Sequence, residues 1–358
     1  MKIAVFTFVG SKNYGSRLQA FALRRYLTGL GHEVDLIRVN NRSPIDRIAS
    51  ALDRLWYSKR YSLFDPNVRR VNRCLSAAAE TGIAYDVADL SENGCDNGVV
   101  SVGKSRLRRL NRVYDAFICG SDQIWSPLAL PLKKHHYLTF VKSKPKIAYA
   151  ASFGVSEHPG FNKRQFRYIA KMDGVSVREE TGRAIIRRFL GRDCTVAVDP
   201  VFLLPRERWT EIAGEPTDGE YAFLFFLNRC DEVIARVESL MRERGIPVVT
   251  MEGKSAPEEF VRLISGAKYV FTDSFHAMAF SLIFHRDFYC FKRDLPPEIQ
   301  QESRLTDLLR DLGITGRYAE RADDLIFPRD PIDYDSADAV LNEKIEASKR
   351  FLAESLTE

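Results

Sequence analysis

Residues 2–39 read KIAVFTFVGSKNYGSRLQAFALRRYLTGLGHEVDLIRV, and their pattern decides the class of fold. KIAVFTFV (2–9) is a continuous apolar run, as a strand covered on both faces of a parallel sheet requires. GSKNYG (10–15) follows as a loop. SRLQAFALRRYLTGLG (16–31) then sets apolar side chains at Leu18, Phe21, Ala22, Leu23, Tyr26, Leu27 and Leu30, the period of a helix. Gly31 is its expected C-cap. HEVDLIRV (32–39) returns to a strand pattern. Strand, helix and strand in this length predict a βαβ unit.

Beyond this unit, residues 41–114 lose the rhythm and hold 13 Lys/Arg against 8 Asp/Glu, a surplus equal to that of the whole chain. A helical, basic insertion is expected there: either a solvated face or a docking face for a lipid-linked or polyanionic partner. From residue 115 the alternation resumes. DAFICGSD, PKIAYAASFG (145–154), GVSVREE and CTVAVDPVFLL read as strands, with helices at GFNKRQFRYIAKM and TGRAIIRRFLG. RERWTEIAGEPTDGE (206–220) turns polar and carries Gly and Pro, so it is expected to join two domains. YAFLFFL (221–227) opens a second series with strands at IPVVTM, KYVFTD and DFYCF. Its helices are DEVIARVESLMRERG (231–245), SAPEEFVRLISGA, SFHAMAFSLIFH and SRLTDLLRDLG (303–313). The expected fold is α/β, with two Rossmann-like parallel-sheet domains facing a cleft, at residues 1–210 and 218–325. A helix within 330–358 is expected to pack back on the first domain.

The bulk numbers agree with a globular protein: 358 residues, 45% apolar and 28% charged, with a formal net charge of +5. That charge suits an anionic ligand. No basic stripe interleaved with aromatics recurs, so nucleic acid is not an expected partner. The six cysteines (74, 95, 119, 194, 230 and 290) include no CxxC pair, and several sit in apolar runs. This favours a reducing cytoplasm, with membrane association open through the basic insertion. The N-terminal run lacks a small-x-small cleavage site and reads as a strand, not a signal peptide. His135 and His136 are adjacent and lack nearby ligand types, so no metal site is expected. No Walker A loop, GxGxxG or GxSxG occurs.

In open parallel sheets ligands bind at the carboxyl ends of the strands. Six such exits carry polar groups: Asn13-Tyr14-Gly15-Ser16, Gly120-Ser121-Asp122-Gln123, Ser152-Phe153-Gly154, Arg178-Glu179-Glu180, Asp199-Pro200 and Asp273-Ser274-Phe275-His276. A helix starting after Asp273-Ser274 would put His276 in its first turn, among free amides that favour an anion. A histidine so placed can donate a proton near neutral pH. The plain alternative is a ring that bonds its neighbours and fills space. Arg178, after a short buried strand, can clamp a carboxylate or phosphate, or simply pair with Glu179 or Glu180. Arg304, at a helix start, is a weaker instance of the same type. Asp122 can serve as a base or as partner to a developing cation, or cap its turn.

NYGSRLQAFALRRYL, CGSDQIWSP, SVREETG, APEEFVRLISGAKYVFTDSFHAMAFSLIF and SRLTDLL occur in that order. Together they resemble the polysaccharide pyruvyl transferase family, over about residues 1–320. The resemblance implies a fold similar to the GT-B glycosyltransferases, phosphoenolpyruvate as donor, a sugar or lipid-linked glycan precursor as acceptor, and a pyruvate ketal as product, without a cofactor. It implies that His276 is the active-site histidine and Arg178 the donor-binding arginine. Asp122 or Asp273 would face the cationic centre, and Asn13, Gly15, Ser16, Ser121, Ser274 and Arg304 would complete the substrate site. Where other members carry Arg-Leu-His, this chain has Ser274-Phe275-His276. The alternatives in the same fold are a glycosyltransferase using a nucleotide sugar and a non-catalytic glycan-binding relative.

Overall fold

The computed structural model describes residues 1–9, 13–40, 86–87, 98–127, 133–155, 163–215, 217, 219–251, 254–295 and 300–357. The expected helical insertion therefore lies outside the described residues, except for 86–87 and 98–114. Two parallel sheets carry the fold. The first holds β1 (Lys2–Phe6), β2 (Glu33–Asn40), β4 (Val99–Gly103), β5 (Ala116–Cys119), β6 (Lys146–Ala151), β7 (Gly174–Val177) and β8 (Thr195–Val196), in the order β4-β2-β1-β5-β6-β7-β8. The second holds β9 (Ala222–Phe225), β10 (Val248–Thr250), β12 (Tyr269–Thr272), β13 (Asp287–Phe291) and β14 (Tyr318–Ala319), in the order β10-β9-β12-β13-β14. A separate parallel pair joins β3 (Asp86–Val87) to β11 (Lys254–Ser255).

The apolar run at the N-terminus has the reason read from it. Ile3 and Val5 enter one apolar cluster and Ala4 and Phe6 another, so successive side chains of β1 are buried on opposite faces. The first cluster does not stop at the first sheet. It runs from Ile3 and Leu18 through Phe223 and Phe260 to Met278. The joint is α1 (Tyr14–Gly29), whose Tyr14 ring stacks on Phe260 at 5.5 Å and meets Phe225 at 6.1 Å.

Helix α1 begins two residues earlier than the apolar period indicates. Asn13 caps it, its Oδ1 accepting from the Ser16 amide at 3.0 Å, so Tyr14, Gly15 and Ser16 form the first turn rather than a loop. At the other end the cap is Leu30, and Gly31 follows it with a positive φ of 87°. The helices α2 (Lys163–Ile169) and α3 (Glu180–Leu190) fall in the two segments predicted for them.

Two segments depart from the sequence reading. CTVAVDPVFLL pairs as a strand only at Thr195–Val196; Asp199 then caps a 3₁₀ turn over Pro200–Leu203, because Pro200 has no amide to give a ladder. The polar stretch after residue 205 starts with a helix, α4 (Arg206–Ala213), which crosses the expected boundary at 210. Its anchor is Trp209, fully buried, with Nε1 donating to the Val201 carbonyl at 2.9 Å and the ring edge-on to Phe280 at 4.8 Å.

In the second half, α5 (Asp231–Glu243), α6 (Pro257–Gly266), α7 (Phe275–Ile283) and α8 (Ser303–Asp311) alternate with the strands. The last helix, α9 (Tyr334–Thr357), touches both halves. It starts where His285 Nε2 lies 2.8 Å from Asp338 Oδ2. It later reaches the first sheet, where Ser348 Oγ accepts from the Val198 amide at 2.9 Å. No described helix is long and apolar enough to cross a membrane.

Candidate active site

Parallel strands deliver their exits to one edge, and here the two edges meet. Asp199, after β8, is at the centre and 1% exposed. Its Oδ2 accepts from Arg178 Nη1, after β7, at 2.7 Å. The same oxygen accepts from Ser121 Oγ at 3.4 Å and faces His276 Nε2, in the first turn of α7, at 3.6 Å. Arg178 also has Glu179 Oε2 at 3.6 Å and Asp122 Oδ1 at 3.9 Å, and its guanidinium lies over the Phe275 ring, 4.4 Å from the centroid. Arginine from one sheet and histidine from the other thus share one buried carboxylate.

The supports come from backbone geometry. Ser274 caps α7, its Oγ accepting from the Ala277 amide at 3.4 Å, and this fixes His276 in the first turn. Gly15 faces that ring: a Cβ on Gly15 would fall 2.1 Å from His276 Nδ1. Glycine is required there by close approach. Asp122 has a positive φ of 64° and its Oδ2 accepts from Ser16 Oγ at 2.5 Å. Ser152 Oγ donates to Glu179 Oε1 at 2.6 Å, leaving the buried Oε2 of Glu179 unbonded. Arg178 Nε and Nη2 and His276 Nε2 are likewise buried without a hydrogen-bond partner.

The charges reinforce one another. Burial alone would raise both aspartates; at Asp199 the His276 ring and the Arg178 guanidinium outweigh it and hold the carboxyl at about 2. At Asp122 burial is outweighed by Arg178, His276 and the Ser16 hydroxyl, so its value also falls below the ordinary one. Arg178 is raised, the carboxylates at Asp199, Glu179 and Asp122 overcoming its burial. Arg304 goes the other way. It is 5% exposed, and burial followed by the nearby Arg293 and Arg178 lowers it to about 9. Its contacts are neutral: the Gln301 carbonyl at 3.3 Å, Gln301 Oε1 at 2.9 Å and the Gln123 amide at 2.8 Å. Arg178 and Arg304 line one pocket with Glu179, Asp199 and Phe275.

Of the residues expected from the sequence, Asp122, Ser121, Arg178 and His276 gather around Asp199. Asn13 and Ser274 are helix caps, and Gly15 and Ser16 hold His276 and Asp122 in place. Arg304 is buried, not solvated as a helix-start arginine commonly is. Asp273 is taken up structurally: its carboxylate accepts from the amides of Leu227 at 2.7 Å and Asn228 at 2.8 Å and pairs with Arg293 at 3.4 Å. Sequence reasoning gave Asp199 and Gln123 no role beyond a strand exit, and passed over Arg293 and Gln301. Arg293 follows β13, so the strand-exit rule would have found it; Gln301 Oε1 joins it to Arg304, accepting from Arg293 Nη1 at 3.0 Å. No signal in the sequence marks Gln301.

The sequence pattern described as polysaccharide pyruvyl transferase matches residues 13–294, which includes every strand exit around Asp199. The chain belongs to the polysaccharide pyruvyl transferase family. No curated protein matches it. Among solved structures, this family member is similar to a Neisseria meningitidis UDP-GlcNAc 2-epimerase bound to UDP-GlcNAc, with TM-score 0.53, 10% identity and 100% of each chain covered. It is also similar to Arabidopsis thaliana UGT89C1 complexed with UDP-L-rhamnose, with TM-score 0.52 and 11% identity, covering 99% of this chain and 97% of that one. These likenesses establish the GT-B-like arrangement of two Rossmann-like halves.

Proposed function

We propose that this pyruvyl transferase moves pyruvate from phosphoenolpyruvate to two hydroxyls of a glycan or glycan precursor, forming a ketal and releasing phosphate. The observation that carries the reading is the meeting of Arg178 and His276 on Asp199 (2.7 and 3.6 Å) beside Arg304, a buried cation with only neutral hydrogen-bond partners. A small anion bearing a carboxylate and a phosphate is the ligand that unbonded guanidinium nitrogens and an unneutralised arginine favour. In this reading Arg178 and Arg304 hold the donor. His276, facing the Asp199 carboxylate at 3.6 Å, is the acid that gives a proton to the methylene carbon. The carbon bearing the phosphate becomes oxocarbenium-like, and Asp122 is the carboxylate that faces it. One hydroxyl adds and loses its proton, the C–O bond to phosphate breaks with its electron pair leaving on oxygen, and the second hydroxyl closes the ring with loss of its own proton. Residues 1–210 and 218–325 would supply the two walls.

The test is a thermal-shift titration with phosphoenolpyruvate and with UDP-sugars, followed by a phosphate-release assay with glycan acceptors. Stabilisation by phosphoenolpyruvate and acceptor-dependent phosphate release are expected. The two solved structures described above hold UDP-sugars, so stabilisation by these alone would turn the reading into a glycosyltransferase's. Binding without phosphate release for any acceptor would leave a non-catalytic glycan-binding relative.

A further inference from the structure

Several arginines at the surface pair with a carboxylate among the described residues: Arg183 has Asp193 at 2.6 Å, Arg208 has Glu211 at 2.5 Å, Arg262 has Glu259 at 2.5 Å and Arg310 has Asp307 at 3.0 Å. One row does not. Lys104–Arg112, KSRLRRLNR, forms a nine-residue 3₁₀ helix between β4 and β5. In a 3₁₀ helix residues three apart eclipse one another. Leu107 and Leu110 therefore share one ridge, which is buried. Arg106, Arg109 and Arg112 share another, which is exposed. Arg108 is exposed beside them, and none of the four has an acidic partner among the described residues.

The surroundings extend the positive field. Asn111 ties this helix to a second segment, accepting on Oδ1 from the Lys142 amide at 2.7 Å and donating from Nδ2 to the Phe140 carbonyl at 3.2 Å. At the other end, Lys104 and Lys133 adjoin His135 and reinforce the effect of its burial, which holds the ring at about 3. Across 98–127 and 133–155 stand ten lysines and arginines, against Asp115 and the buried Asp122. Asp115 is already engaged by the Lys2 amide at 2.8 Å. Two apolar side chains that flank this helix in the chain are open to solvent, Val100 (37% exposed) and Val113 (51%).

We propose that this face docks on an anionic lipid bilayer. A bilayer surface offers phosphate charge to the arginine row and an apolar layer beneath it for the valines. Residues 98–113 carry no aromatic ring, so the face lacks the stacking platforms by which single-stranded nucleic acid is held. The docking does not depend on which donor the cleft binds.

The test is co-sedimentation of the full chain with vesicles of phosphatidylcholine alone and of phosphatidylcholine with phosphatidylglycerol. Pelleting with the anionic vesicles only is expected at about 0.1 M salt, and its loss at about 1 M, where the screening length falls from ~10 Å to ~3 Å. The variant R106Q/R109Q/R112Q, altered only at exposed side chains, should lose roughly a hundredfold in partitioning, at about a factor of five per arginine. R183Q/R187Q, which removes the same kind of charge from a paired site, should partition as the unaltered protein does. Equal binding to neutral vesicles, no loss in the triple variant, or retention on heparin without pelleting on anionic vesicles would each overturn the proposal.

Discussion

Gly15→Ala tests whether His276 is held by steric contact. The added methyl would sit 2.1 Å from His276 Nδ1, 2.2 Å from its Cγ and 2.7 Å from its Cβ. Because the side-chain root is as crowded as the ring, a rotation about χ2 cannot relieve the clash. Either α1 or α7 must move, and α1 is fixed by the stack of Tyr14 on Phe260. Overpacking of this kind costs about 1–3 kcal/mol. Replacing glycine by alanine in a helix returns up to about 1 kcal/mol. The net expectation is a destabilisation of about 1–2 kcal/mol in urea melts. Activity should fall further than stability. His276 faces Asp199 at 3.6 Å, and a displacement of about 1 Å in a reacting group can cost on the order of a hundredfold in rate. Adding His276→Ala to Gly15→Ala should recover part of the stability, since the ring contacts vanish and only the Cβ contact at 2.7 Å remains, without restoring activity. If Gly15→Ala alone melts and turns over like the unaltered protein, or if the double variant is no more stable than the single one, the contact does not position the ring.

Other perturbations have equally definite outcomes. Asp199→Asn leaves Arg178 without its nearest carboxylate, and urea melts near neutral pH should show a loss of about 3–5 kcal/mol. The Asp199 carboxyl is held at about 2 against an ordinary 3.8, so its ionised form contributes about 2 kcal/mol above roughly pH 4. That contribution is lost as pH falls through 2, and the stability gap between the protein and Asp199→Asn should narrow over that window; a constant gap would refute the assignment. Trp209→Ala opens a cavity between α4 and α7 and should cost about 3–5 kcal/mol in the same melts. Arg304→Gln removes a buried cation that has only neutral hydrogen-bond partners, so it should leave the unliganded melting temperature unchanged or raised while abolishing stabilisation by phosphoenolpyruvate. Arg178→Ala should weaken the donor more than the acceptor; equal losses would make its role structural.

The order of strands and helices was legible because burial on both faces of a parallel strand needs an unbroken apolar run, and KIAVFTF or YVFT can hardly be anything else. The helix α4 was not, because eight residues with a single Trp as anchor show no period; its stability comes from Phe21 and Phe280, which lie elsewhere in the chain. Asn13 was placed in a loop for a related reason. A helix cap is fixed by one hydrogen bond, and the apolar period begins only after it. Among the site residues, Arg178 and His276 were legible as lone charged or titratable groups at the ends of buried strands. Asp199 was seen only as an exit, because nothing local distinguishes a carboxylate that caps its own turn from one that also holds two side chains of other elements.

The sequence by itself determined the two parallel sheets, the six polar exits and the family, since each follows from residues near one another in the chain or from their order. Tertiary structure alone decided which exits share a carboxylate, that Asp273 is spent on the Leu227 and Asn228 amides, and that Arg304 is buried with only neutral hydrogen-bond partners. Those outcomes depend on how two sheets joined by Tyr14 and Phe260 are set against each other. Electrostatic coupling acts over a few ångströms of space, whatever the number of residues between.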